Sequence, residues 1–135
     1  MGKVEPTVRV VSAEIHRDGR YLITQRSARA VLPLLWEFPG GRVRDEETDA
    51  QALVRAVKHR IGVDVTVRER VLEVRHAYPE YTVFLAVYAC EIAAGEPFAH
   101  AVNALAWVAP DEFGDYPFPG ADQKTVDALL NDAAG

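Results

Sequence analysis

At 135 residues, 49% of them hydrophobic, the chain can bury one real core but has no room for two domains of ordinary size. The formal net charge of -5 gives no field that would hold a nucleic-acid backbone non-specifically, so nucleic acid is not an expected partner. The single cysteine, Cys90, lies inside an apolar run and reads as a small buried hydrophobe; it excludes an internal disulfide, and no Cys/His cluster has zinc-finger spacing.

Residues 1–6 are a polar start, expected to be flexible ahead of a single domain within 1–135. No long apolar stretch follows Met1-Gly2-Lys3, and Pro6 stands where a myristoylation signal wants Ser or Thr. The expected address is the cytoplasm, with no membrane as partner. Residues 8–15 and 21–24 are β-rich runs separated by Asp18-Gly19, a dipeptide that favours a two-residue type I′ turn, so the domain is predicted to open with a hairpin. Residues 32–41 carry two prolines and end in Pro39-Gly40-Gly41, which predicts a shaped loop rather than a strand or helix.

Thr48 with Gln51 three residues on makes a capping box, and Gly62 supplies a left-handed stop, which together frame a helix of roughly four turns. At helical spacing Ala50, Leu53, Val54, Val57 and Ile61 form the expected core stripe, while Ala52, Ala56, His59 and Arg60 fall on a different face. Strands are predicted at 71–76 and 82–92, joined by a turn around Pro79, with the second as the central strand. A loop over 93–100 leads to a short strand at 105–108; residues 111–119 then read as loop or broken turn, because of Gly114 and two prolines. Asp122 is placed to cap a last helix whose apolar face is Val126, Leu129 and Leu130. No internal repeat or linker is evident. Strands interleaved with two helices point to an α/β layered domain around a mixed sheet.

The segment Trp36-Glu37-Phe38-Pro39-Gly40-Gly41, followed by the capped helix and Gly62, resembles the Nudix box of MutT-like hydrolases. That box runs Gly, five residues, Glu, seven residues, Arg-Glu, an aliphatic, any residue, Glu-Glu, any residue, Gly, aliphatic. Laid on this chain from Gly41, it meets Glu47, Arg55, Val57, Gly62 and Val63. Thr24-Gln25-Arg26 upstream, and Trp107-Val108, the run 116–119 and Ala121-Asp122 downstream, extend the resemblance over 7–131, towards the cytidine-nucleotide pyrophosphohydrolases.

The resemblance implies the Nudix fold, an α/β/α sandwich around a mixed β-sheet, and a small phosphorylated ligand, a nucleotide. It places Arg26 against phosphate, Asp122 on the base and Phe38 close to the nucleobase, although the residue by itself reads as core; Gly40 and Gly41, which serve backbone shape, are counted with them as ligand-binding candidates. Gly41, Glu47, Arg55 and Gly62 are the structural box, with Glu47 and Arg55 bracing the loop against the helix. Homodimers are common among such relatives, and a homodimer is left open here.

The departures sit on one helical face. Where the family presents metal-binding carboxylates, this chain has Ala56, His59 and Arg60, and the loop position of a further glutamate is Ala101. Hard divalent ions need several carboxylate oxygens, so no metal ligand is assigned and no cofactor is expected. Replacing three carboxylates moves the local charge from about -3 to about +1, which repels Mg²⁺ and favours an anion. Arg60, with Arg26, Arg42 or Arg44 nearby, is then expected to grip phosphate directly.

The first expectation is a binding module that has lost metal-dependent hydrolysis. The second is a working hydrolase that cleaves nucleoside diphosphate-linked substrates, recruiting Glu37, Asp45, Glu46 or Glu47 for Mg²⁺ or Mn²⁺. A repurposed metal-free enzyme is a third, and a reader of oxidised guanine in DNA, like the non-catalytic Nudix-like domain of a MutY glycosylase, is a fourth that the acidic balance argues against. Catalytic residues are not fixed by the sequence; Glu47 and His59 are the candidates, His59 as a metal-free acid or base.

Overall fold

The computed structural model describes residues 6–30 and 32–134. Most of the segment expected to be flexible, residues 1–5, lies outside them. In chain order the elements are β1 (Thr7–Arg17), β2 (Arg20–Gln25), β3 (Trp36–Glu37), β4 (Gly40–Arg42), α1 (Asp49–Ile61), β5 (Asp64–Ala77), β6 (Thr82–Ala94), β7 (Ala104–Val108), a 3-10 helix (Pro110–Asp115) and α2 (Gly120–Ala134).

The opening hairpin forms as its turn dictates: Asp18 and Gly19 both take positive φ, 52° and 78°, as a type I′ turn requires. Among the described residues the strands make one mixed sheet of order β3-β2-β1-β6-β5, with β4 paired to β1 and β7 to β2. β1 runs parallel to β6 from Thr7↔Thr82 to Ile15↔Cys90, and β6 is antiparallel to β5.

Alternation along the strands then assigns each face a helix. Val11, Ala13 and Ile15 of β1 pack with Val65, Cys90 and the Leu53, Val57 and Ile61 side of α1. Val74, Val83, Leu85 and Val87 point the other way, with Ala121 of α2. A third cluster, Ile23, Phe38, Val108, Phe113, Val126 and Leu129, seats the rest of α2. The result is an α/β/α layering. Burial of Cys90 pushes its thiol pKa up to about 12, so it acts as a core hydrophobe.

Four expectations need correction. The stripe of α1 is rotated: Ala52 and Ala56 are buried, whereas Ala50 is exposed and Val54 is 40% exposed. Alanine fits either environment, and Ala56 packs directly on Gly41 of β4. Gly40 and Gly41 do continue a strand: Ser12↔Gly40 and Val11↔Gly41 pair, because glycine lets β4 approach β1 where a Cβ on Gly40 would sit 1.9 Å from the Val11 carbonyl oxygen. β5 begins seven residues before the predicted 71, at Asp64, and accommodates its charged Arg68–Arg70 stretch with register shifts at the sheet edge. Finally, Asp122 lies inside the first turn of α2 rather than capping it, and Leu130 is 38% exposed.

Candidate functional site

The box builds a rigid platform first. Thr48 Oγ1 accepts from the Gln51 N–H (3.1 Å) and Gln51 Oε1 accepts from the Thr48 N–H (3.0 Å), which starts α1. Gly62 ends it at φ 75°, its N–H donating to the Lys58 carbonyl (2.9 Å). Between these ends Arg55 clamps Glu47 with two donors, Nε to Oε2 at 2.7 Å and Nη2 to Oε1 at 2.9 Å, and Nη2 also donates to the Arg42 carbonyl at 2.8 Å. The Arg44 N–H adds a bond to Glu47 Oε1 (2.9 Å). The Arg55 bonds foremost, then the Arg44 N–H, lower the Glu47 pKa to about 2. Both oxygens of this catalytic candidate are therefore already engaged.

On the adjoining face Ala56, His59 and Arg60 meet the loop after β6. Phe98, His100 and Ala101 donate their backbone N–H groups to the carbonyls of Ile61, Arg60 and Arg60 at 3.0, 3.1 and 3.0 Å. His100 Nδ1 lies 2.7 Å from the His59 carbonyl oxygen, and the Phe98 ring covers Gly62. The four positions where the family resemblance expected carboxylates are thus gathered in space. Ala56 itself is buried against Gly41, where an added Cβ would lie 3.0 Å from the Ala56 Cβ and 4.0 Å from Arg60 Nη2.

Two cavities flank this region. The first is a basic hollow of about 630 Å³ between the segment 41–45 and α1, lined by Arg42, Arg44, Arg55, His59 and Arg60, with Gly41, Val43, Asp45 and Ala56. The second is a cleft of about 500 Å³ whose apolar wall is Val8, Val10, Val83 and Leu85. Arg26, Glu37, Tyr78, Tyr81 and Asp122 supply its polar and aromatic groups, and Arg42 borders both cavities.

Glu37 stands between them: Arg26 Nη1 donates to it at 2.8 Å, and Arg60 Nη1 lies 3.9 Å away on the other side. Enclosure of the Asp122 carboxyl raises its pKa to about 8, with the neighbouring Glu37 charge adding to the shift and the Phe38 N–H opposing it. Asp122 is therefore biased towards its protonated form, which can donate a hydrogen bond. Tyr78 Oη accepts from the Ala121 N–H at 3.1 Å and so ties the cleft to the start of α2.

Of the residues singled out by sequence, Arg26, Asp122, Gly41 and Arg60 line these cavities. The Phe38 ring does not: it is 1% exposed and stacks on Phe118 in the core. Gly40 is likewise buried, shaping the β1–β4 contact. His59 is exposed on the hollow, edge to face with His100. Tyr78, Tyr81 and the bridging position of Glu37 were not assigned from sequence; no spacing marks them, because chain segments distant in sequence assemble the cleft.

A family model of the NUDIX domain matches residues 10–128. The CTP pyrophosphohydrolase of Escherichia coli (strain K12) is 35% identical over 123 residues, covering 91% of this chain and 91% of that one. An 8-oxo-dGTP diphosphatase of Haemophilus influenzae is 32% identical over 124 residues, 90% of this chain and 91% of the relative. Among solved structures, the E. coli ORF135 protein superposes with a TM-score of 0.80 at 33% identity, covering 96% of this chain and 94% of that one. The MutT protein of Methanosarcina mazei Go1 reaches 0.85 at 19% identity, covering 99% and 100%, a likeness of fold.

Proposed function

Because the chain belongs to the NUDIX family, we propose that it binds a nucleotide or other small phosphorylated ligand in the manner of a MutT-like protein that has given up metal-dependent pyrophosphohydrolysis. The observation that carries this reading is the donor set on the α1 face. Ala56, His59, Arg60 and Ala101 offer no carboxylate, and among the described residues no three His, Cys, Asp or Glu side chains converge as a metal ion needs. A hard divalent cation selects clustered carboxylate oxygens, so this set does not fit magnesium or manganese. The cleft supports a nucleoside end: an apolar floor, two tyrosines, and Asp122 with a proton to donate. The hollow supports an anionic end.

A second reading, hydrolysis with relocated ligands, is favoured by the relatives, which are a CTP pyrophosphohydrolase and 8-oxo-dGTP diphosphatases. It must draw on Glu37, Asp45, Glu46 or Glu47, of which Glu47 is clamped by Arg55 and Glu37 is bound by Arg26. No helix of the described residues is long and apolar enough to cross a membrane. A cytoplasmic, small-molecule role is the setting proposed.

A thermal-shift screen of nucleoside mono-, di- and triphosphates with and without Mg²⁺ tests the choice. Stabilisation in excess chelator, with no pyrophosphate or phosphate released on adding Mg²⁺ or Mn²⁺, is expected. Metal-stimulated release at a steady rate would establish the second reading.

A further inference from the structure

The hollow has more positive charge than its own carboxylates can neutralise. Arg42, Arg44, Arg55 and Arg60 line it, but Arg55 is already matched by Glu47, and the carboxylate among the lining residues is Asp45. Among the described residues the Arg42 and Arg44 side chains make no hydrogen bond or ion pair, and Arg60 has only the Glu37 contact at 3.9 Å. These guanidinium groups come from opposite walls: Arg42 and Arg44 from β4 and the segment after it, Arg60 from the last turn of α1. The floor between them is bare, because Gly41 has no side chain and Ala56 ends at Cβ. In an acidic protein, arginines that line an open floor with their hydrogen-bond donors largely unused are a site for an anion, even with Glu47 acting on Arg44 through space.

We propose that this hollow takes the metal-free form of a phosphoryl chain, with Arg44 and Arg60 gripping it from the two walls and Arg42 at the end nearest the cleft, so that divalent cations oppose binding instead of promoting it. The inference rests on the reading that the ligand binds without metal, and it goes further in assigning Arg44 and in reversing the sign of the metal effect. A magnesium ion on a diphosphate cancels two of its negative charges and retains several waters. The complexed ligand then offers the arginines less charge and brings a cation among cations.

The test is calorimetric titration of the full chain with inorganic pyrophosphate, in chelator and then in rising Mg²⁺, repeated on Arg44→Ala, Arg60→Ala and Arg44→Lys. Circular dichroism checks each fold, and Arg44→Ala keeps the backbone N–H that holds Glu47. Binding in chelator, a progressive loss of affinity as Mg²⁺ rises, and a drop of roughly tenfold or more in each alanine variant are expected, with the lysine variant in between. Affinity that rises with Mg²⁺, or that ignores both alanine substitutions, overturns the proposal. If a nucleoside triphosphate still binds in chelator while pyrophosphate is indifferent to Arg44 and Arg60, this inference alone falls. If neither ligand binds without metal, the reading of the function falls with it.

Discussion

Glu47 with Arg55, and Ala56 with His59 and Arg60, are neighbours in the same box, and the two sets treat charge in opposite ways. The first is a closed pair in which both carboxylate oxygens and two of the three guanidinium nitrogens have partners at 2.7 to 2.9 Å. The second holds a buried methyl, an exposed imidazole and a guanidinium whose nearest carboxylate among the described residues is 3.9 Å away. The closed pair fixes a loop to a helix and requires nothing from outside. The open set contributes little to the fold, so substitution there can exchange one ligand preference for another without unsettling the platform. Scaffold and chemistry are separable in this motif, and mutations should sort accordingly.

The largest expected effect lies in the scaffold. Gly40→Ala places a Cβ on the Val11 carbonyl, parts β4 from β1, and should cost about 3 kcal/mol or more in denaturant-monitored stability. Arg55→Ala strands Glu47 and the Arg42 carbonyl and should lower Tm by several degrees; an unchanged Tm would break the comparison. Arg60→Ala should leave Tm near the parent value while weakening anion binding roughly tenfold.

The combined variant Ala56→Glu, His59→Glu, Arg60→Glu sharpens the same contrast. It should abolish binding in chelator and gain stabilisation by Mg²⁺ in a thermal melt, since all three positions line the hollow.

A smaller effect separates the cleft from the brace by pH. Asp122 keeps its proton in the folded protein up to about 8, whereas in the unfolded chain it ionises near the ordinary value of 3.8. Between those values the folded state binds more protons, so its contribution to stability falls as pH rises through this window and levels off above it. Asp122→Asn should remove that slope and gain on the parent towards alkaline pH, by a few kcal/mol at most. Glu47 runs the other way: its contribution is full above pH 4.5 and is lost as pH falls towards 2. A urea-denaturation series across pH reads both.

What could be read along the chain was whatever a short segment settles by itself. The turn at Asp18-Gly19, the Thr48 and Gln51 capping box and the Gly62 stop each depend on residues a few positions apart, and each stands as expected. The glycines of β4 were taken for loop because their partner is β1, far back in the chain: the Ala13 N–H bonds the Pro39 carbonyl and the Val43 N–H bonds the Arg9 carbonyl. The burial of Ala56 was illegible for a related reason, since it follows from how near Gly41 of β4 comes to α1 rather than from hydrophobicity. Tyr78 reaches the Ala121 N–H across 43 residues, and no local pattern announces such a contact.

The loop after β6 has an effect on the end of α1 that concerns electrostatics more than shape. A helix finishes in carbonyls that point outward and carry partial negative charge, a poor neighbour for an incoming phosphate. Here the amides of Phe98, His100 and Ala101 have already covered the carbonyls of Arg60 and Ile61. The negative pole is quenched from within the chain, and the guanidinium that grows from that same turn is left to set the local potential.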